Sequence, residues 1–238
     1  MKDNLTELVF ILDRSGSMGG LEGDTIGGYN NLIEKQKAEP GEANLTTVLF
    51  DDRYELLHDG ADIKKVAPVT DKEYFVRGTT ALLDAVGRTI DAVGKRLSET
   101  PEPERPANVM FVITTDGMEN ASKTYSLEKV RGMIEHQKEK YSWEFLFLGA
   151  NIDAVATARD FGISEDRAAE YRHDSVGVDA CFKSMAAPIL ARRQCRQISP
   201  DWKKRIEDDL KNRGADADGD ADATAPKPLA KRRDATKK

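Results

Sequence analysis

Three short stretches of this chain carry residues able to grip a hard cation. Asp13-Arg14-Ser15-Gly16-Ser17 directly follows the apolar run Leu8 to Leu12. Gly78-Thr79-Thr80 stands just before a helical pattern, and Thr114-Thr115-Asp116-Gly117 follows the apolar run Val109 to Ile113. Two strands therefore end in aspartates, and one helix opens on a threonine. In an open α/β sheet such positions share one rim, the carboxyl ends of the strands, where ligands bind. Two carboxylates and three hydroxyls form an oxygen-only donor set, which suits Mg²⁺ first, with Mn²⁺ or Ca²⁺ as alternatives.

The elements that must position these residues are legible from periodicity. Leu5 to Leu12 reads as a buried strand. A helix from about Leu21 to Lys37 places Ile26, Tyr29, Leu32 and Ile33 on one face; its Gly23, Gly27 and Gly28 are expected to permit close approach of helix and sheet. Leu45 to Phe50 and Tyr54 to His58 flank Asp51-Asp52-Arg53, a hairpin signal that predicts one antiparallel edge strand. Leu82, Val86, Ile90, Val93 and Leu97 recur at spacings of three and four, the clearest amphipathic helix in the chain. After the proline-rich loop Glu99 to Pro106, Val109 to Thr114 reads as a central strand. Ser126 caps a further helix, Phe145 to Leu148 is another strand, and Ile152 to Phe161 is a short helix stopped by Gly162. A weak strand near Ala169 to Arg172 and a helix from Ser175, interrupted near its end by Pro188, complete the pattern.

Strands alternating with helices predict a Rossmann-like, doubly wound, mostly parallel sheet with helices on both faces. The domain is expected to span residues 1–198. A short helix with Trp202, Ile206 and Leu210 on one stripe is expected over 199–213, and a disordered, charged, low-complexity tail over 214–238.

The chain has 238 residues, and its hydrophobic share of 39% supports a real core. A net charge of −6 argues against nucleic-acid binding by the protein as a whole. No apolar run is long enough for a transmembrane helix, and the N-terminus has no signal-peptide core separate from the first strand, so a cytoplasmic protein is the default expectation. Cys181 and Cys195 lack metal-ligand spacing and read as idle thiols. His58, His136 and His173 are scattered, and none reads as part of a catalytic set.

Taken together and in order, the three motifs resemble those of a von Willebrand factor A domain with its metal-ion-dependent adhesion site, of the bacterial intracellular type. Asp13, Ser15 and Ser17 match the family's D-x-S-x-S loop, Thr80 its lone threonine and Asp116 the aspartate of its T/S-D-G loop. Aligning back from Ala81-Leu82-Leu83-Asp84-Ala85 favours Thr80 over Thr79. The resemblance covers roughly Leu5 to Met185. It implies that Ser15, Ser17 and Thr80 offer neutral hydroxyls to the ion while Asp13 and Asp116 act largely through water and orient the other donors. Neutral ligands leave much of the cation's charge unspent, so that an Asp or Glu of a partner protein can complete the coordination. The expected function is thus a metal-dependent protein-interaction module and not an enzyme.

Other readings follow from single features. An aspartate after the first strand also occurs in D-x-D phosphotransferases, which makes an Mg²⁺-dependent phosphohydrolase the alternative. Here Ser15 occupies the place of the second carboxylate, and neither a P-loop nor a G-x-G-x-x-G sequence is present. The basic end, with Lys227, Lys231, Arg232, Arg233, Lys237 and Lys238 against Asp234, could associate with nucleic acid through counterion release. The preceding Asp216, Asp218, Asp220 and Asp222 mimic the start of a calcium loop, but Ala221 and Lys227 stand where such a loop needs Gly and Glu. Around the rim, Arg14 is expected to be solvent-exposed. Asp51-Asp52 and Glu119-Asn120 are expected to be solvated loop residues, Thr79 a helix cap, and Met18 either a core residue or a lid.

Overall fold

The computed structural model describes residues 1–220. Six strands, β1 (Lys2–Asp13), β2 (Glu42–Phe50), β3 (Tyr54–Asp62), β4 (Pro106–Thr115), β5 (Glu144–Gly149) and β6 (Ala168–Glu170), form one sheet in the order β3-β2-β1-β4-β5-β6. Every neighbouring pair is parallel except β2 and β3. The α/β class with a single antiparallel edge strand is therefore the one the molecule adopts. The helices are α1 (Glu22–Ala38), α2 (Leu82–Glu99), α3 (Leu127–Tyr141), α4 (Ala154–Asp160), α5 (Ser175–Arg193) and α6 (Lys204–Asp220).

The central strand β1 explains why both faces are covered. Its side chains alternate, so Leu8, Phe10 and Leu12 enter a core shared with α1 and α5, while Val9 and Ile11 enter a second core shared with α2, α3 and α4. All five are essentially inaccessible to solvent, and each contributes about 1.5–3 kcal/mol by burial. Ile198, Trp202 and Ile206, beyond α5, join the first of these cores, and the Trp202 indole donates to the carbonyl of Asp166 at 2.8 Å.

The three glycines of α1 divide. A Cβ on Gly23 or Gly27 would meet nothing, whereas one on Gly28 would lie 2.4 Å from Cδ2 of Phe182 in α5. Only Gly28 serves a close approach, and it does so against a helix and not against the sheet as expected. Gly27→Ala should therefore raise stability by about 0.5–1 kcal/mol through helix propensity alone. Gly28→Ala should lower it by about 1–3 kcal/mol through overpacking. Urea denaturation of the two variants checks this, and a stabilised Gly28→Ala would show that Phe182 swings away freely.

No helix among the described residues is long and apolar enough to cross a membrane. Cys181 is a buried and Cys195 an exposed free thiol. Of the acidic run only the backbone as far as Asp220 is described, as the end of α6. The remainder of the expected tail, with the basic end from Lys227 to Lys238, lies outside the described residues.

Candidate metal centre

Sheet order places the candidate site. The chain leaves β1 for β2 on one side and returns to β4 on the other, so the crevice between the carboxyl ends of β1 and β4 lies where the winding reverses. In register, Leu12 pairs with Thr114 and Asp13 with Phe50, which brings Asp13 and the Thr115-Asp116 pair to one rim.

There the first loop turns sharply. Asp13 accepts the Ser15 backbone N–H at 2.7 Å through Oδ1 and the Thr115 hydroxyl at 2.6 Å through Oδ2. The Ser15 and Ser17 hydroxyls lie 3.0 Å apart, and Ser17 donates to Asp116 Oδ1 at 2.6 Å. Gly117 lets the remaining hydroxyl in: a Cβ there would lie 3.3 Å from Thr80 Oγ1 and 3.4 Å from Ser17 Oγ. Thr80 is buried and Thr79 exposed. The structure thus brings Asp13, Ser15, Ser17, Thr80 and Asp116 together, with Ser17 on the solvent side.

The three loops are bonded to one another. The Gly16 N–H donates to the Gly78 carbonyl at 3.1 Å and the Arg77 N–H to the Arg14 carbonyl at 3.0 Å. Gly78 has φ +65°, and a Cβ there would fall 2.0 Å from Asp52 Oδ1, so this turn requires glycine. Thr80 donates its N–H to Asn120 Oδ1 at 2.9 Å and accepts from the Asn120 N–H at 3.0 Å. Glu119 accepts the Leu83 N–H at 2.8 Å at the start of α2, and also the N–H groups of Ala121 and Ser122. Asn120 is exposed and Glu119 half-buried, so both are loop residues in contact with solvent as expected, and they also organise the rim. Thr79 does not cap α2; Ala81 occupies that place without a side-chain bond. Met18 is buried, as core.

Arg14 overturns its expectation most sharply. Its side chain has no exposed surface. Nε donates to Asp51 Oδ2 at 3.0 Å, one terminal nitrogen to the Glu73 carbonyl at 2.9 Å and the other to Glu55 at 2.6 Å. Asp51, expected in solvent, is buried as well, and Arg77 also donates to it at 2.7 Å. Burial pushes the Asp51 carboxyl up, but hydrogen bonds from Arg77, the Arg53 N–H and Arg14 outweigh it and hold it below the usual carboxylate range. The fork of Arg14 reaches segments that no single-charge ammonium could span at once.

The two aspartates of the rim, Asp13 and Asp116, are shifted the other way from Asp51. Burial pushes Asp13 up to about 6, against hydrogen bonds from Thr115 and Ser15, and the charge of Asp116 adds to the rise. Asp116 is raised too, first by burial, with the Ser17 hydroxyl and His173 working against it. His173 is the residue that the sequence reading missed. Its Nε2 lies 2.8 Å from Asp116 Oδ2 as an ion-pair contact, and neither of these two buried atoms has another polar partner. The available signal was position: His173 stands between the carboxyl end of a strand and the first residue of a helix, as Asp13 and Asp116 do. Two desolvated carboxylates, one with an oxygen that no hydroxyl or backbone N–H of the rim satisfies, fit a bound cation. No group of three or more His, Cys, Asp or Glu able to hold an ion occurs among the described residues, so hydroxyls must supply part of any coordination.

No family model and no curated protein matches the chain. Solved structures do. Proximal thread matrix protein 1 from the mussel byssus aligns with a TM-score of 0.53 at 14% identity, over 78% of this chain and 46% of that one. The same protein with a zinc-occupied MIDAS motif (a metal-ion-dependent adhesion site) aligns with a TM-score of 0.51 at 15% identity, over 78% and 46%. The pilus adhesin SpaC from Lactobacillus rhamnosus GG, in its open conformation, gives 0.58 at 13% identity, over 78% and 30%. This chain thus spans less than half the length of these three structures. At these identities the likeness is one of architecture: a Rossmann-like, mostly parallel sheet with one antiparallel edge strand and helices on both faces.

Proposed function

We propose that the domain is a non-enzymatic, metal-dependent protein-interaction module, whose rim binds an Asp or Glu side chain of a partner through a divalent cation. The observation that carries this reading is the buried Asp116, whose Oδ2 no rim hydroxyl or backbone N–H satisfies, beside a second buried carboxylate, Asp13, with the Ser15, Ser17 and Thr80 hydroxyls close by. When bound, the cation supplies positive charge and a coordination position open to the partner's carboxylate. Ser15, Ser17 and Thr80 would hold it as neutral donors, and Asp13 and Asp116 would orient them and balance its charge. Without it, two facing carboxylates repel an acidic ligand, so binding is strictly cation-dependent. The zinc-occupied motif of the mussel protein and the adhesin role of SpaC support this class of function. The strongly exposed Met118, two residues from Asp116, provides an adaptable apolar contact beside the partner's acid. Magnesium is the ion we assign on the hydroxyl content, in a cytoplasmic setting.

The test is capture of partners from native extract with Mg²⁺ or with EDTA, alongside calorimetric titration of metal. Thr80→Ala should lower metal affinity by about tenfold or more, the scale on which a supporting ligand acts, while exposed Thr79→Ala stays within about twofold. Partner capture that persists in EDTA would sink the proposal, and a greater loss in Thr79→Ala would reassign the threonine.

A further inference from the structure

The contact between His173 and Asp116 is not accounted for by an oxygen-only site. Nε2 and Oδ2 stand 2.8 Å apart, both are buried, and neither has a further polar partner. Each of these buried atoms has bonding capacity left over, which a third body within reach of both would use. The Asp116 side chain is fully buried and His173 is 23% exposed. His173 also lines a pocket of about 330 Å³ with Asn151, Glu170, Arg172 and Leu210.

Spacing points the same way. Adjacent donors of an octahedral ion with bonds of ~2.1 Å stand about 3 Å apart. Ser15 Oγ to Ser17 Oγ is 3.0 Å, Ser17 Oγ to Asp116 Oδ1 is 2.6 Å, and Asp116 Oδ2 to His173 Nε2 is 2.8 Å. One continuous row of donor atoms thus runs from the first loop across Asp116 to the segment before α5. Only its last member is a nitrogen.

We propose that His173 is a sixth residue of the metal centre, an imidazole donor beside Asp116, and that the site therefore selects a later first-row transition ion such as Zn²⁺ over Mg²⁺ and Ca²⁺. Imidazole suits the borderline ions and adds little for the hard ones. The inference rests on the metal-centre reading above and revises the ion assigned there.

Metal binding to the full chain tests it, with Zn²⁺ and Mg²⁺ titrated into the wild type, His173→Gln, His136→Gln and Asp13→Ala, and pulsed EPR of bound Mn²⁺. Expected are a Zn²⁺ affinity about 10–100-fold weaker in His173→Gln, an Mg²⁺ affinity changed by less than about twofold, and nitrogen hyperfine coupling to Mn²⁺ that vanishes in that variant and survives in His136→Gln. Glutamine keeps a polar group against Asp116, so a variant that retains wild-type Zn²⁺ affinity would show that His173 merely positions the aspartate. Absence of nitrogen coupling in the wild type overturns the inference while leaving the metal centre standing. If Asp13→Ala binds ions as well as the wild type, the centre itself is misplaced and the inference falls with it.

Discussion

Asp13→Asn should give a protein that binds metal at least about a hundredfold more weakly and that, stripped of metal, is more stable than the wild type above pH 6. The amide keeps the size of the side chain and can still accept the Ser15 N–H and meet the Thr115 hydroxyl, the two partners of Asp13. What it removes is a charge that burial opposes. Because the folded carboxyl is raised from 3.8 to about 6, its contribution to stability is fully present below pH 3.8 and is lost as pH rises through about 6. A shift of that size corresponds to about 3 kcal/mol, at ~1.4 kcal/mol per pH unit. Asp116, also raised, adds to the effect with the same sign. In EDTA the wild type should therefore lose stability between pH 4 and 6.5, and Asp13→Asn should lose distinctly less. Saturating metal should reverse the order of the two proteins, since only the wild type gains binding free energy. Thermal melts at pH 5 and 7.5, with and without metal, read all of this. A variant that melts below the metal-free wild type at pH 7.5 would mean that the buried charge is already compensated within the protein.

Replacing Arg14 should be nearly as damaging, and to the fold itself. Arg14→Met leaves Asp51 with only Arg77 as a cationic partner, frees the Glu73 carbonyl and leaves Glu55 to the more distant Arg77 contact of 3.8 Å. Removing one member of a buried ion pair typically costs 3–5 kcal/mol; with Arg77 remaining, about 3 kcal/mol is expected. Arg14→Lys should recover only a minor part, because a single ammonium cannot reach three acceptors in separate directions. Since Arg14 lies between Asp13 and Ser15, and Arg77 precedes the Gly78-Thr79-Thr80 turn, metal affinity should fall together with stability. Urea midpoints for Arg14→Met and Arg14→Lys measure the first effect and metal titration the second. A loss below about 1 kcal/mol in Arg14→Met would show that the cluster contributes to placement and not to stability.

What was legible in the chain was whatever depends on short-range pattern. Leu8 to Leu12 and Val109 to Ile113 announce strands by unbroken apolar content, and α2 announces itself by regular spacing. The aspartates and hydroxyls of the rim then follow from where those elements stop. Long-range pairing stayed hidden. Arg14 meets acceptors 37, 41 and 59 residues away, and nothing local distinguishes a buried guanidinium in a loop from a solvated one. His173 touches Asp116 across the sheet, from a segment following a strand of only three residues, too short for periodicity to place. Gly23, Gly27 and Gly28 look alike in sequence, and only the position of Phe182 separates them. The ends of β1 and β3 extend beyond the patterned residues because neighbouring backbone completes their ladders, as where the Lys2 N–H donates to the Arg105 carbonyl at 2.8 Å.

The strand order has a consequence for synthesis. β1 gains its first neighbour, β2, by residue 50, but its other edge waits for β4, which begins at Pro106. At roughly 5–20 residues per second, the ribosome leaves that edge bare for several seconds or more, with Leu8 to Leu12 flanking it. A half-made chain thus presents an apolar strand edge to any neighbour, the kind of surface on which nascent chains pair wrongly. The rim residues emerge in the same sequence, Asp13 early and Asp116 only after β4, so the rim is complete only once that bare edge has found its strand.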